Sequence, residues 1–317
     1  MKGFRFIYIL VGLILVIGTF ATGEYGLSKV NQRIYDSACD TGEKVAQIQF
    51  PDFHVTDYKV RFYDGSRDYV VQGDKIEKEQ AALDTFAGTT LKIDGKQQVI
   101  VPEYELFSEL FNMAGTAEAM AEGIMAFSEN TYSEASHAAT ICHEAFHAWQ
   151  FTKWEQEIEE LMRETEMVGE KDREAVIVNY IDSDPALVVS FEKEMELLQA
   201  AYECMDEREK VTLVQKALEV HTKRQTELLE GVTALEEYLE NLEGSAMYVE
   251  AMVYRSLAGA EAFTDYYLDD FIYSNGSGKY YSLGMLKCML LDQLSPDWKE
   301  NWNLEQSVDV LLNAACQ

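Results

Sequence analysis

The spacing of apolar residues changes along the chain, and each change marks an element. From roughly Val45 to Pro102 the signal is mainly strand: Tyr58, Val60 and Phe62 alternate with Lys59 and Arg61, the two-residue period of a half-buried strand. Asp64-Gly65 leads toward Asp68-Tyr69-Val70-Val71. Asp94-Gly95, between Leu91-Lys92-Ile93 and Val99-Ile100-Val101, is a strong hairpin signal. Leu106, Leu110, Phe111, Met113, Ala117 and Met120 fall at helical spacing over residues 103–122, and residues 123–128 read as a short strand. A helix follows, with Thr131 or Ser133 as its N-cap and Glu134 favourable in its first turn. Residues 154–241 are dense in Glu, Leu, Lys and Arg at helical spacing. They read as an inserted helical hairpin or small bundle, broken at Asp182-Ser183-Asp184-Pro185, with its charges on solvated faces. Residues 251–317 are helical around a loop at 274–278. The pattern predicts an α+β, mostly helical fold with a small N-terminal antiparallel sheet. Residues 24–130 form the mixed β/α part and 131–317 the helical part that carries the insertion.

Residues 1–23 stand apart. Lys2 and Arg5 precede an unbroken apolar run from Phe6 to Phe20, ending at Ala21-Thr22-Gly23. This is either a secretory signal peptide, with small residues for a cleavage site, or an uncleaved signal anchor. Basic residues on its N-terminal side predict that the rest of the chain lies outside the cytoplasm, membrane-anchored or secreted.

Composition narrows the function classes. The 317 residues are 47% hydrophobic, enough for one large core or two small ones. A net charge of −30 argues against nucleic acid as a partner, since phosphate binding needs a basic footprint. Five cysteines (Cys39, Cys142, Cys204, Cys288, Cys316) are too sparse and irregular for a disulfide framework.

The chemistry concentrates in Cys142-His143-Glu144-Ala145-Phe146-His147, an H-E-x-x-H pattern on a helix. Residues four apart share a helix face, so both imidazoles can turn toward one point, an arrangement that suits tetrahedral Zn²⁺. Glu144 projects beside that point, where a carboxylate takes a proton from water instead of coordinating. Cys142 points about 100° away around the helix and reads as a buried small side chain. His137 does not share the angular position of the pair, His54 reads as a loop histidine, and His221 is a lone helical histidine. A catalytic zinc needs a third protein ligand and an open vertex. Glu243, in Leu242-Glu243-Gly244-Ser245-Ala246-Met247-Tyr248-Val249-Glu250, precedes very small residues that let its helix approach another backbone closely.

H-E-x-x-H followed by E-G-x-A-x-Y-x-E resembles the gluzincin metallopeptidases, especially the membrane-alanyl-type aminopeptidases and related bacterial peptidases. The resemblance implies a zincin-like catalytic region with His143, His147 and Glu243 as zinc ligands and Glu144 as general base. It departs from those aminopeptidases in having Leu242 where they carry Asn, and in the long connection between its two motifs. It further implies that the strand at 123–128 edges the cleft and pairs with an extended substrate. Such an enzyme needs a donor for the oxyanion, often a Tyr or His; Tyr281 is the candidate, with Tyr248 and Tyr254 behind it. Glu250, two turns from Glu243 on the same face, orients a ligand or forms a surface ion pair.

The expected function is a zinc peptidase acting on peptide or protein substrates. Two alternatives stand beside it. One is a membrane-tethered binding or sensory module in which zinc only holds helices together; the other is an anchored helical interaction protein without metal. The insertion reads as a lid over the site or as a surface for a protein partner, and in the binding-module alternative it recruits that partner.

Overall fold

In a computed structural model, the structure describes residues 26–50, 52–85, 87–108, 132–166, 176–269, 276–300, 302–304 and 306–317. The chain is mostly helical, with a small five-stranded mixed sheet on its N-terminal side. The first helix, α1 (Lys29–Gln49), is followed by β1 (Lys59–Tyr63), β2 (Arg67–Gln72), β3 (Lys75–Gln80), β4 (Thr89–Ile93) and β5 (Lys96–Pro102). Strands lie in the order β3-β2-β1-β5-β4.

Two expectations are corrected here. The strand signal expected from Val45 begins only after α1 ends at Gln49; α1 buries Ile34, Tyr35 and Ala38, and that packing carries the helix onward. The sheet is mixed, not antiparallel: β1 and β5 run parallel, Val60 opposite Val99 and Phe62 opposite Val101. Turn signals announce local hairpins, and these are present, with Asp94 and Gly95 both at positive φ between β4 and β5. The parallel pair arises where two such local units meet side by side, which no turn residue encodes. Alternation along β1 sends Val60 and Phe62 into the core beside Tyr69, Val71, Val99 and Val101. Arg61, between them, is buried with Asp68, Gln98 and Glu79 as partners.

The helical part begins with α2 (Glu134–Lys153), whose Ser133 side chain caps the Ser136 amide at 3.1 Å as predicted. After α3 (Glu155–Glu166) and a π-helical turn at Ile177–Asp182 come α4 (Pro185–Glu203) and α5 (Glu207–Gln225). The expected break is real: Asp184 accepts from the Ala186 amide, with Pro185 at the first helical position, where its missing N–H costs nothing. The long α6 (Glu230–Ala258), α7 (Gly278–Leu294) and α8 (Val308–Ala315) follow.

Two features fix the helices around the site. All four tryptophans (Trp149, Trp154, Trp298, Trp302) stack into one aromatic cluster with Phe50 and Phe146, joining the end of α1, α2 and the C-terminal segment. Such pairs add about 0.5–1.5 kcal/mol each beyond their buried area. At the α6–α7 crossing, a Cβ built on Gly244 would fall 2.5 Å from the Gly284 Cα, and one on Gly284 would fall 2.4 Å from the Glu240 carbonyl oxygen. Only glycine admits this backbone approach. Among the described residues no helix is long and apolar enough to cross a membrane. The apolar segment 1–23, most of the 103–122 helical stretch and the 123–128 strand lie outside the described residues.

Candidate metal centre

His143 and His147 are one turn apart on α2, and α6 crosses beside them to bring in Glu243. The Nε2 atoms of the two histidines are 3.0 Å apart; Glu243 Oε2 lies 3.0 Å from His147 Nε2 and 3.8 Å from His143 Nε2. Three ligands placed tetrahedrally at about 2.0–2.1 Å from a zinc ion would be separated by about 3.3 Å. The observed triangle brackets that value, so the donor set fits the ion.

The rear nitrogens are held as well. Glu250 Oε2 lies 2.9 Å from His143 Nδ1, and the Tyr267 hydroxyl donates to the other Glu250 oxygen at 2.9 Å. This places Glu250 behind a ligand, not in a surface ion pair. His147 Nδ1 pairs with Gln150 Oε1 at 2.8 Å, while the Gln150 amide donates to Ser245 Oγ and the Leu242 carbonyl. Gln150 therefore ties the second imidazole to the helix that carries Glu243. His147 Nδ1 is thus hydrogen-bonded and His143 Nδ1 has a carboxylate beside it, while each Nε2 faces inward. Gln150 was missed in the sequence, although a Gln three residues after a ligand histidine is a usable signal.

Electrostatics at the site favour a cation. Burial works against a charged His143, yet Glu243 and Glu250 raise it to about 10. Burial likewise opposes ionisation of Glu243, and the two imidazoles hold it well below the ordinary carboxylate range. Burial raises Glu144. Among the described residues, the ion pairs of His143, His147 and Glu243 are with one another and with Glu250, none with Lys or Arg.

The other predicted residues are also placed. Tyr281, on α7, hydrogen-bonds Glu243; burial first, and that carboxylate second, raise its hydroxyl well above the ordinary range, so it stays a donor. Tyr248 instead donates to Asp292, and Tyr254 packs among Tyr266 and Tyr267. Cys142 is buried with its thiol against the Ala38 carbonyl (3.4 Å), and His137 pairs with the Tyr132 hydroxyl (2.8 Å); neither joins the cluster.

The expectation of solvated charges in the 154–241 region holds for residues such as Glu192, Lys193, Glu196, Glu207 and Glu209, which are exposed, and is corrected at a second, buried cluster. Glu194, His221 and Glu240 also offer ligand atoms within 4.8 Å of one another. Here a cation is already present: Lys287 Nζ is 3.0 Å from Glu194, 2.5 Å from Glu240 and 2.8 Å from Asp309. Arg224 adds contacts to Glu194 (2.7 Å) and Glu236 (3.2 Å). His221 lies in this network and not over the first cluster. Charges of both signs pair at these core positions, so the side of the helices that carries them is internal.

No protein family, curated protein or solved structure matches the chain.

Proposed function

We propose that the chain is a gluzincin-like zinc peptidase that hydrolyses peptide bonds outside the cytoplasm. The observation that carries this reading is the triangle of His143, His147 and Glu243 donor atoms, each imidazole anchored from behind. Three protein ligands leave a fourth vertex for water or substrate. A zinc ion held there would supply the Lewis acidity that polarises a scissile carbonyl and makes water acidic near neutral pH.

The chain's own groups do the remaining work. Glu144 accepts the proton of the attacking water at its carboxylate and delivers it to the leaving amine, so no proton is lost. Tyr281, beside Glu243, turns its one phenolic proton from that carboxylate to the oxyanion as the tetrahedral intermediate forms. Glu250 and Gln150 keep the imidazoles in the tautomer that presents Nε2. The Lys2/Arg5-flanked apolar run supports an extracytoplasmic location, by anchoring or secretion, and the 154–241 helices offer a surface for a protein partner.

A zinc-containing binding or sensory module is the competing reading. A closed site needs a fourth protein ligand, and the converging group among the described residues has three. The deciding experiment is zinc quantitation with cleavage profiling on a diverse peptide library. We expect one zinc per chain, lost in Glu243→Ala, and cleavage lost in Glu144→Gln with zinc retained. Undiminished cleavage by Glu144→Gln overturns the mechanism.

A further inference from the structure

The metal ligands are held by helices, but the carboxylate of Glu144 is held by the sheet. β4 is an edge strand, bonded only to β5, and it packs along α2. Thr90 pairs with Val99, whose side chain is in the core, so Thr90 points to the same helix-facing side. Its hydroxyl lies 2.6 Å from the Glu144 carbonyl oxygen and 3.1 Å from Glu144 Oε2. Two residues earlier, a Cβ on Gly88 would fall 3.0 Å from Glu144 Oε1 and 3.1 Å from its Cγ. One carboxylate oxygen thus rests against bare glycine backbone while the other meets a hydroxyl. Nothing in the helix itself restrains that side chain in this way.

We infer that Thr90, backed by Gly88, is the positioning residue for the general base. The inference rests on the peptidase reading above and deepens it. A threonine hydroxyl has one proton and two acceptor lone pairs. It donates to Oε2 while the carboxylate is ionised. Once Glu144 has taken the proton of water, the same oxygen accepts from the acid and turns its own proton to the Glu144 carbonyl. Thr90 exchanges no proton with the reaction; it keeps the carboxylate in one place through both halves of it. Misplacing a reacting group by about an ångström costs on the order of 100-fold in rate.

The test compares wild type, Thr90→Val, Thr90→Ser and Glu144→Gln as full-length, zinc-loaded protein on a fluorogenic peptide chosen from the library. Valine keeps the β-branched shape that suits a strand and removes only the hydroxyl. Thr90→Val is expected to keep one zinc per chain and KM within about twofold, with kcat lower by about 10- to 100-fold; Thr90→Ser is expected to recover most of it. A readout independent of turnover is the infrared carboxylate band of Glu144, isolated as wild type minus Glu144→Gln. It is expected to move in Thr90→Val and return in Thr90→Ser, with and without zinc. A Thr90→Val protein with wild-type kcat or an unmoved band overturns the role of Thr90 while leaving Glu144 as base. So does a loss that serine does not restore. If Glu144→Gln cleaves normally, Glu144 is not the base and Thr90 has nothing to position; if wild type cleaves no peptide of the library, the peptidase reading has failed first.

Discussion

Glu250 sits two helical turns beyond Glu243 on α6, and its carboxylate lies 2.9 Å from Nδ1 of His143 on α2. In the proposed zinc site, one helix would therefore supply both a ligand and the group that orients another. Removing such a partner typically costs 10- to 100-fold in metal affinity. Glu250→Ala is expected to weaken zinc binding by about that factor, measured by competition with a chelator. Unchanged affinity would show that His143 is oriented by its packing alone.

Lys287 is paired with three carboxylates, of which Glu194 and Glu240 are buried and Asp309 is partly exposed. Lys287→Met leaves Glu194, Glu240 and Asp309 short of a cation, and breaking a buried pair from one side costs about 3–5 kcal/mol. Urea unfolding is expected to show a loss of that order. A variant as stable as wild type would mean that protonation of the carboxylates absorbs the change.

His137 provides a pH signature separate from the metal centre. Burial lowers it from 6.5 to about 3. A folded-state value below the unfolded one means that the stabilisation is fully present above about 6.5 and is lost as pH falls toward 3. Each pH unit crossed in that window costs up to about 1.4 kcal/mol. Denaturant midpoints measured from pH 7 to pH 4 are expected to fall less steeply in His137→Gln than in wild type. Parallel curves would refute the assignment.

The Gly244–Gly284 contact sets the distance between the helix carrying Glu243 and the helix carrying Tyr281. Gly244→Ala inserts a methyl where backbone already stands at 2.5 Å. Overpacking of this kind costs about 1–3 kcal/mol. A lowered Tm is expected together with a reduced kcat, because the helix that carries Tyr281 shifts relative to Glu243 and the proposed oxyanion donor is displaced. A fall in Tm with kcat intact would mean that the crossing serves stability alone.

How much of this was legible beforehand depended on whether partners shared a helix. His143 and His147 follow from four-residue spacing. Glu243 was marked by the small residues after it, but Gly244 makes its close approach to Gly284 of α7 and not to α2, where the sequence reading placed it. Glu250 followed from two-turn spacing, although its partner did not. Thr90 was invisible, because its relation to Glu144 exists only once β4 lies along α2. The buried charges were misread because helical spacing reports which positions share a face, not whether that face is wet. Glu194 falls in one stripe with Phe191, Met195 and Leu198, all buried, and a carboxylate in such company was a readable warning. In the sheet, the β4–β5 hairpin was written in Asp94-Gly95, β3 and its turn from β2 went unread, and the parallel β1–β5 pairing depends on how two hairpins dock.

The ammonium of Lys287 has a consequence for the order of assembly. Of two nests built from the same kinds of side chain, one brings its own counter-ion, covalently attached, and ties α4, α6, α7 and α8 together as soon as they meet. The other, on the reading proposed above, would take its cation from the surroundings, so the four helices of the first nest are joined whether or not that ion is bound.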